Sequence, residues 1–311
     1  MPFATGGYSR IRTNIAAENA YNALEASSRD VSLRQLRLST GNRINNASDD
    51  VAGYISSRAL AARNGSLKAA LNSVGDAQNV ANILMDSLDN INQLLTDIKN
   101  AAATASSGAM GTDEKVALAK AAYRLSQQLQ TVVDSTVFGG KQLLNGTFSA
   151  DFVIGTNAAN TLLTLGIDMT YSSSEFNVPS EYFDANAMNT GFYGGVTNLD
   201  LRELNNVSAE DLGIFSTTEI HSTMTSLADA IDNVNNIASY LGGLVNRLNS
   251  QEDLLKGQIT NYNAAISRLE DTDVAKEQLE LIKSQFLQQA SLTSLAQANQ
   301  NPASFLQLLG R

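Results

Sequence analysis

Residues 70–105 read ALNSVGDAQNVANILMDSLDNINQLLTDIKNAAATA, and apolar side chains recur along them in alternating steps of four and three. The positions so spaced are Ala70, Val74, Ala77, Ala81, Leu84, Leu88, Ile91, Leu95, Ile98, Ala102 and Ala105. A seam with this spacing is typical of a coiled-coil helix. At about 1.5 Å per residue such a helix is roughly 54 Å long, so the stretch predicts a rod.

A second seam of the same spacing runs through residues 220–269, and its only polar position is Glu252. Its apolar members are Ile220, Met224, Leu227, Ile231, Val234, Ala238, Leu241, Val245, Leu248, Leu255, Ile259, Tyr262, Ile266 and Leu269. A shorter third seam consists of Leu118, Ala122, Leu125, Leu129 and Val132. We expect the three rods to pack as a bundle, with the glycine-containing turn at 106–111 joining the first to the third.

The two ends of the chain carry a different pattern. The seam within residues 11–38 is broken by polar residues and consists of Ala17, Tyr21, Leu24, Ser28, Val31, Gln35 and Leu38. Near the C-terminus Leu279, Ile282, Phe286 and Ala290 form one stripe, and further leucines, Leu295 among them, lie on other faces. A helix that is apolar on several faces is not stable alone in water, so the ends need partners on this chain or on others.

The middle of the chain departs from the helical pattern. Two short β-type runs, around residues 152–154 and 162–167, flank a turn of Gly, Asn and Thr. We interpret residues 171–216 as a short surface insertion in which aromatic residues form a small local core: Tyr171, Phe176, Tyr182, Phe183, Phe192 and Tyr193. A sugar-binding aromatic platform is the weaker alternative.

Composition argues against several classes of function. The chain has no Cys and one His, and it contains neither a phosphate-binding glycine loop nor a nucleophile elbow, so we predict no enzyme activity and no cofactor. A net charge of -10 disfavours nucleic-acid binding. No apolar run is long enough for a membrane span, and the first residues do not form a Sec-type signal peptide.

The polar stretch RLSTGNRINNASDD at residues 37–50 separates two predicted helices. Its Asn and Asp oxygens suit a hard cation, but their spacing is not that of a Ca²⁺ loop. We therefore interpret the stretch as a joint, in which Gly41 ends the first helix and residues 45–50 cap the next. Arg43 or the carboxylates Asp49 and Asp50 are predicted to make contacts within the joint or across a subunit boundary.

Both ends of the chain resemble a known family. IRTNIAAENA (residues 11–20) and LRLSTGNRINNASDDVAGYISSRA (36–59) are similar to the N-terminal region of bacterial flagellins. AAISRLEDTDVAKE (264–277) and FLQQASLTSLAQANQNPASFLQLLGR (286–311) are similar to the flagellin C-terminal region. DFVIGTNAANTLLTLGIDM (151–169) resembles the short β-region of the same family.

The resemblance implies a structural subunit of the hollow helical flagellar filament, a secreted protein whose main partner is itself. It also implies export through the flagellar type III apparatus with an export chaperone, ends that are unfolded before assembly, and contact with the filament cap and the hook–filament junction proteins. Two alternatives remain open at this stage. One is a hook–filament junction protein, which shares the end motifs, and the other is an intracellular coiled-coil adaptor.

The predicted fold is mainly α, with long antiparallel coiled-coil rods formed by both chain ends, a small β-region and a short surface insertion. We divide the chain into an N-terminal core helix (1–43), a first rod half with the β-region (44–170), the insertion (171–216), a second rod half (217–271) and a C-terminal core helix (272–311). The residues that we assign to the joint and to assembly are Arg43, Asn45, Asp49, Asp50, Arg268, Glu270, Asp271, Asp273, Phe286 and Leu295.

Overall fold

A computed structural model describes residues 14–157, 161–170, 192–197 and 199–309 of the chain. Most of these residues are helical, which confirms the predicted fold class. The described helices are α1 (Ile15–Thr40), α2 (Val51–Ala105), α3 (Thr112–Ser135), α4 (Ile220–Glu270) and α5 (Val274–Leu309). The described strands are β1 (Val137–Phe138), β2 (Lys141–Gln142), β3 (Thr147–Thr156), β4 (Leu162–Thr170), β5 (Phe192–Tyr193) and β6 (Val196–Thr197).

The chain forms two compact units. The terminal unit comprises Met1–Asn64 and Thr260–Arg311, and the middle unit comprises Gly65–Ile259. The division falls inside α2 and α4, so each of these helices contributes residues to both units. The five segments that we predicted from the sequence are not the same as these two units, and they stay a prediction.

The core of the middle unit is built on the seam predicted for α2. Every seam position from Ala70 to Ala105 is at most 1% exposed. On α4 the buried apolar residues are Ile220, Leu227, Ala230, Val234, Ile237, Leu241, Leu244, Leu248 and Leu255. Leu227, Val234, Leu241, Leu248 and Leu255 belong to the predicted seam at intervals of seven, and the seam residues between them are half-buried. The heptad pattern therefore identifies the buried face of α2, and on α4 it is right at every second position, while the other buried apolar residues, Ala230, Ile237 and Leu244, lie one position before the predicted ones.

The predicted seam of α3 is displaced by about one residue. Leu118, Leu125 and Val132 are only half-buried, although the pattern places them at the centre of the seam. The fully buried positions are Lys115, Ala119, Ala122, Ser126, Leu129 and Val133. The buried stripe of α3 therefore combines the small residues Ala119, Ala122 and Ser126 with Lys115, Leu129 and Val133.

The two predicted β runs form an antiparallel hairpin, β3–β4, with a register shift between Val153 and Gly155. Two hydrogen bonds attach the hairpin to the long helices of the middle unit. The backbone N–H of Val153 donates to Ser73 Oγ of α2 at 3.0 Å. Gln251 Nε2 of α4 donates to the carbonyl oxygen of Ile154 at 2.7 Å. The β-region is thus attached to both helices.

The second half of the predicted insertion is part of the core of the middle unit. Tyr193 is buried in the short hairpin β5–β6, whose Gly194 carbonyl accepts a hydrogen bond from buried Asn233 Nδ2 at 2.8 Å. The chain then buries Leu199, Leu201, Leu204, Val207, Ile214 and Phe215. The remaining aromatic residues of the proposed local core, from Tyr171 to Phe183, lie outside the described residues.

The terminal unit pairs α1 with α5 in an antiparallel arrangement, because Arg34 contacts Glu277 while Asn14 near the other end of α1 contacts Ala298. The face of α5 turned toward α1 follows a heptad of mostly polar or small residues. Its members, all buried or half-buried, are Glu277, Leu281, Ser284, Gln288, Ser291, Leu295 and Ala298. The α5 side of this contact therefore mixes polar and small residues with Leu281 and Leu295.

Candidate assembly site

The joint, residues 41–50, begins where α1 ends at Gly41. Gly41 has φ 74°, the left-handed conformation that favours glycine, and its N–H donates to the carbonyl oxygen of Arg37 at 2.9 Å. The sequence predicted this helix end. The glycine turns the chain toward residues 269–273, which comprise the end of α4 and the connection to α5 and which we call the return segment.

Two backbone hydrogen bonds tie the joint to the return segment. The N–H of Arg43 donates to the carbonyl oxygen of Glu270 at 2.5 Å, and the N–H of Thr272 donates to that of Gly41 at 2.9 Å. They flank the antiparallel pairing of Asn42 with Asp271. Parts of the chain that are more than 200 residues apart in sequence are therefore held in one β-bridge.

The side chain of Arg43 lies across this bridge. Its Nη2 donates to the carbonyl oxygen of Leu269 at 2.8 Å and lies 3.9 Å from Asp50 Oδ2. Arg43 and Asp50 are both partly exposed, so their ion pair contributes little, about 0 to 1 kcal/mol. The hydrogen bond to the carbonyl is the more specific contact, because it connects the joint to the end of α4.

Asp49 organises the backbone of the joint. Its Oδ2 accepts hydrogen bonds from the N–H groups of Asn45 and Asn46, both at 3.0 Å. The hydrogen bonds from Asn46 and then Asn45 hold the pKa of the Asp49 carboxyl below its ordinary value. The side chain of Asn45 in turn donates to the carbonyl oxygen of Asn42 at 3.0 Å. The charged form of Asp49 therefore stabilises the folded turn.

Asp50 caps α2, and this cap requires a glycine three residues later. Its Oδ1 accepts a hydrogen bond from the N–H of Gly53 at 2.9 Å. A Cβ at Gly53 would lie 2.6 Å from Asp50 Oδ2 and 2.7 Å from Cδ1 of buried Ile44. No side chain fits there without moving the cap, so Gly53 allows the capping carboxylate to approach the backbone.

The return segment contains the cap of α5. Oδ1 of Asp273 accepts hydrogen bonds from the N–H groups of Ala275 at 3.0 Å and Lys276 at 3.2 Å. Oδ2 of Asp271 accepts one from Ser267 Oγ at 2.5 Å. Arg268 is exposed at the end of α4 and Glu270 is half-buried beside it. Of the carboxylates in the sequence LEDTD, Asp273 therefore caps α5, and Asp271 accepts a hydrogen bond from the last turn of α4.

A buried ion-pair cluster between α1 and α5 was missed by the sequence reasoning. Glu277 is 6% exposed, and Arg34 Nη1 donates to its two carboxylate oxygens at 2.9 and 3.1 Å. Arg37 Nη1 lies 3.8 Å from Oε1 of the same carboxylate. Arg34 and Glu277 are 243 residues apart, and neither residue stands out in its own segment. Neither Arg34 nor Glu277 belongs to the seams predicted for the two ends of the chain, so the sequence pattern gave no signal for this pair.

The terminal unit exposes several large apolar side chains, most of them on α5. Phe286 is 73% exposed, whereas Leu295, the other assembly residue predicted on α5, is half-buried on the seam toward α1. The large apolar side chains exposed on α5 are Val274, Leu279, Ile282, Phe286, Leu287 and Leu292, and those on α1 are Ile15, Tyr21 and Leu36. Exposed apolar side chains in this number mark an interaction surface.

The described part of the chain shows no group of three or more His, Cys, Asp or Glu residues arranged to bind a metal ion. Asp49 and Asp50, the carboxylates that raised the cation alternative, are bonded to backbone N–H groups of the joint and of α2. Among the described helices, none combines the length and the apolar composition that crossing a membrane requires.

Comparison with protein families matches both ends of the chain. Residues 11–149 match the bacterial flagellin N-terminal helical region, and residues 224–309 match the bacterial flagellin C-terminal helical region. Together the two matches cover well over half of the chain. The joint lies in the first match, and the described part of α5 lies in the second.

Curated relatives match over nearly the full length. The chain is 29% identical to flagellin of Bacillus subtilis over 313 residues, covering 96% of this chain and 99% of the relative. It is 25% identical to polar flagellin A of Vibrio parahaemolyticus over 372 residues, with the same coverage. Among solved structures, a putative flagellar hook-associated protein from Vibrio parahaemolyticus shares the fold, with a TM-score of 0.54, 11% identity and coverage of 72% of this chain and 100% of that one.

Proposed function

Because the chain belongs to the bacterial flagellin family and is a structural subunit of the flagellar filament, we propose that its copies assemble through the exposed apolar faces of α1 and α5. The filament is a helical polymer of this subunit outside the cell, and the protein is not an enzyme. The observation that carries the proposal is the group of large apolar side chains that a single chain leaves exposed on α5: Val274, Leu279, Ile282, Phe286, Leu287 and Leu292.

Folding of the terminal helices depends on a balance between backbone entropy and the burial of apolar side chains. Ordering a helix costs about 1 to 2 kcal/mol per residue in backbone entropy, and fully burying a large apolar side chain returns about 1.5 to 3 kcal/mol. In a single chain Leu279, Ile282 and Phe286 remain more than half exposed, so α5 does not gain this return. Neighbouring copies that cover these side chains supply this favourable free energy of burial. The terminal helices accordingly fold on assembly and are unfolded in the free subunit.

The contacts between copies are heterologous, because a helical polymer joins one patch of a subunit to a different patch of the next. The net charges of the two units affect how strongly copies associate. The middle unit has 9 Lys and Arg against 21 Asp and Glu, whereas the terminal unit has 12 against 10. Like-charged middle units repel one another at low ionic strength, and salt screens this repulsion. Polymerisation of the purified subunit is therefore promoted by salt.

Export follows from the same arrangement. A chain whose terminal helices gain their stability from neighbours stays unfolded at its ends before assembly, which suits passage through the flagellar type III apparatus with an export chaperone. The subunit is secreted by this route, adds beneath a filament cap and contacts the hook–filament junction proteins at the base.

The joint residues position the terminal helices relative to the return segment. We assign this role to Arg43, Asn45, Asp49, Asp50 and Asp273, whose bonds define where α1 ends and where α2 and α5 begin. The segments 1–43 and 272–311 form the assembly core, 44–170 and 217–271 form the rods, and 171–216 includes the variable surface. Arg268 and Glu270 at the end of α4 and Asp271 after it lie on the side of the return segment, and we assign them to the same positioning role.

The test is seeded polymerisation of purified subunit. Phe286→Asp introduces a charge on the apolar face of α5, and we expect filament growth to be lost while the middle unit keeps its far-UV circular dichroism. Gln289→Asp is the matched control, since Gln289 is also exposed on α5 and is already polar. Normal growth of the Phe286→Asp variant would contradict the assignment of this face.

Neither alternative is better supported. The likeness to the hook-associated protein is one of fold alone at 11% identity. An intracellular coiled-coil adaptor explains the seams of α2 and α4 but not the two family matches, which include both terminal regions.

A further inference from the structure

The antiparallel helices α2 and α4 of the middle unit are joined beside their apolar seam by two amide pairs. Gln78 Nε2 donates to Asn249 Oδ1 at 2.9 Å, and Asn92 Nδ2 donates to Asn235 Oδ1 at 2.6 Å. The residue numbers in each pair sum to 327, so both pairs report the same register of the two helices. We call these pairs the amide rungs.

The rung formed by Gln78 and Asn249 also contacts Glu252, the one polar residue of the α4 seam. Gln78 Nε2 donates to Glu252 Oε2 at 2.9 Å. Glu252 is half-buried and is held from its other side by Lys256 in the next turn of α4. The polar residue that interrupts an otherwise apolar heptad is therefore matched across the helix pair by an amide.

At the rung position of each helix, amide residues alternate with other residue types from one heptad to the next. On α2, successive heptads place Leu71, Gln78, Met85, Asn92 and Lys99 at the rung position, and all of them are half-buried. On α4 the corresponding residues are Ala228, Asn235, Gly242, Asn249 and Lys256. Amides recur every second heptad on both helices, so they coincide in the observed register.

A slip of one heptad keeps the apolar seam in contact but breaks every rung. Asn249 would then lie opposite Leu71 or Met85, and Glu252 would lose Gln78 to the same apolar side chains. A carboxylate and an amide beside apolar side chains lose hydrogen-bond partners, which costs free energy. The seam alone provides no such penalty, because a heptad repeat maps onto itself after seven residues.

We propose that the amide rungs are positioning residues that select the register of α2 against α4 and thereby the level at which the middle unit presents its outer surface. They contribute little to the stability of the helix pair, since both rungs are largely exposed to water. Their contribution is the difference in free energy between the observed register and the two registers that are displaced by one heptad.

The slip can be measured in the unassembled full-length chain. The chain has no cysteine, so a pair of spin labels is introduced cleanly by Asp89→Cys and Thr225→Cys, at exposed positions of α2 and α4. Pulsed electron paramagnetic resonance then reports the distance between them. A slip of one heptad moves one helix along the other by about 10 Å.

The expected result is one distance population in the labelled parent chain. Asn64 and Asn263 of the terminal unit form a third amide pair in the same register, so the labelled parent chain also carries Asn64→Leu and Asn263→Leu. Replacing all four rung residues by leucine in that parent, at Gln78, Asn92, Asn235 and Asn249, should add a second population shifted by the slip, with no loss of helicity. Restoring Gln78 and Asn249 in that variant should remove the second population. An unchanged single population in the four-leucine variant would overturn the proposal.

The matched control places four leucines at exposed polar positions of the same helices away from the rungs: Asn90, Thr96, Asn236 and Asn246. This control should keep a single population, and a second population here would equally overturn the proposal. The level at which the outer surface is presented matters only if the subunit polymerises, which rests on the proposed function. The distances are read in free subunits, so a failure of the register proposal is distinguishable from a failure of assembly.

Discussion

The middle and terminal units of this subunit use the same helical repeat in opposite ways. In the middle unit the heptad positions of α2 carry apolar residues that are fully buried within one chain. In the terminal unit the heptad face between α1 and α5 carries Glu277, Ser284 and Gln288, while Phe286 and its apolar neighbours point outward. The difference indicates which unit is complete in one chain and which is completed by its neighbours.

The largest expected effect comes from removing a core side chain in the middle unit. Leu88 is 0% exposed, and Leu88→Ala should lower the free energy of unfolding of the free subunit by about 2 to 5 kcal/mol through lost burial and a residual cavity. Urea denaturation followed by circular dichroism measures it. Leu279→Ala, on the exposed face of α5, should change the same quantity by less than about 0.5 kcal/mol. Equal losses in the two variants would remove the distinction between the units.

The second effect concerns the buried charge cluster of the terminal unit. Glu277→Gln leaves Arg34 and Arg37 without the carboxylate that faces both, and should destabilise the paired terminal helices by about 1 to 2 kcal/mol, below the usual cost because both arginines keep some contact with water. The melting temperature of assembled filaments should fall.

The matched variant for that measurement is Glu280→Gln. Glu280 pairs only with exposed Lys283 on the same helix, so its filaments should melt as the parent filaments do. If both glutamines lower the melting temperature equally, the cluster has no special role in closing the terminal helix pair.

The seams of α2 and α4 were predictable from the sequence because heptad spacing is a local signal that does not depend on the partner helix. The ends at Gly41 and Asp50 were predictable for the same reason, since caps act within a few residues. The pairing of Arg34 with Glu277 and the bridge between Asn42 and Asp271 were not predictable, because each joins residues more than 200 positions apart.

The displaced stripe of α3 shows a second limit of sequence reasoning. The prediction followed the large residues Leu118 and Leu125, but the helix buries Ala119 and Ser126 instead. Periodicity identifies a face to within one residue, and close packing against neighbouring helices then selects the small residues. The role of the joint in assembly stays a prediction, although the bonds of Arg43, Asp49 and Asp50 are described.

A smaller effect is expected at the start of α5. Asp273→Ala removes the carboxylate that accepts from the N–H groups of Ala275 and Lys276, which should cost about 1 kcal/mol of helix stability. On the proposal that α5 folds only in the filament, the loss should appear as faster proteolysis of the C-terminal helix in filaments and not as a change in the unfolding of the middle unit. Asp273→Asn should retain most of the cap.

The smallest effect is the pH dependence of the joint. The pKa of Asp49 is lowered in the folded chain by hydrogen bonds from Asn46 and Asn45, so its contribution is present above its ordinary pKa of 3.8 and is lost as the pH falls through the lowered folded value. The protection factors of the Asn45 and Asn46 amides, which compare their exchange rates with those of the unfolded chain at the same pH, should therefore fall in acid below that pH. Asp49→Asn should increase exchange at neutral pH and reduce its dependence on acid, and an unchanged profile would show that Asp49 does not stabilise the turn.

The most direct test of the contrast between the two units is hydrogen exchange measured on the free subunit and on the assembled filament. We predict that amides of α1 and α5 exchange rapidly in the free subunit and become protected in the filament, whereas amides of α2 and α4 within residues 65–259 are protected in both states. Strong protection of α1 and α5 in the free subunit would contradict the account, because the contact between these two helices would then be sufficient without neighbours.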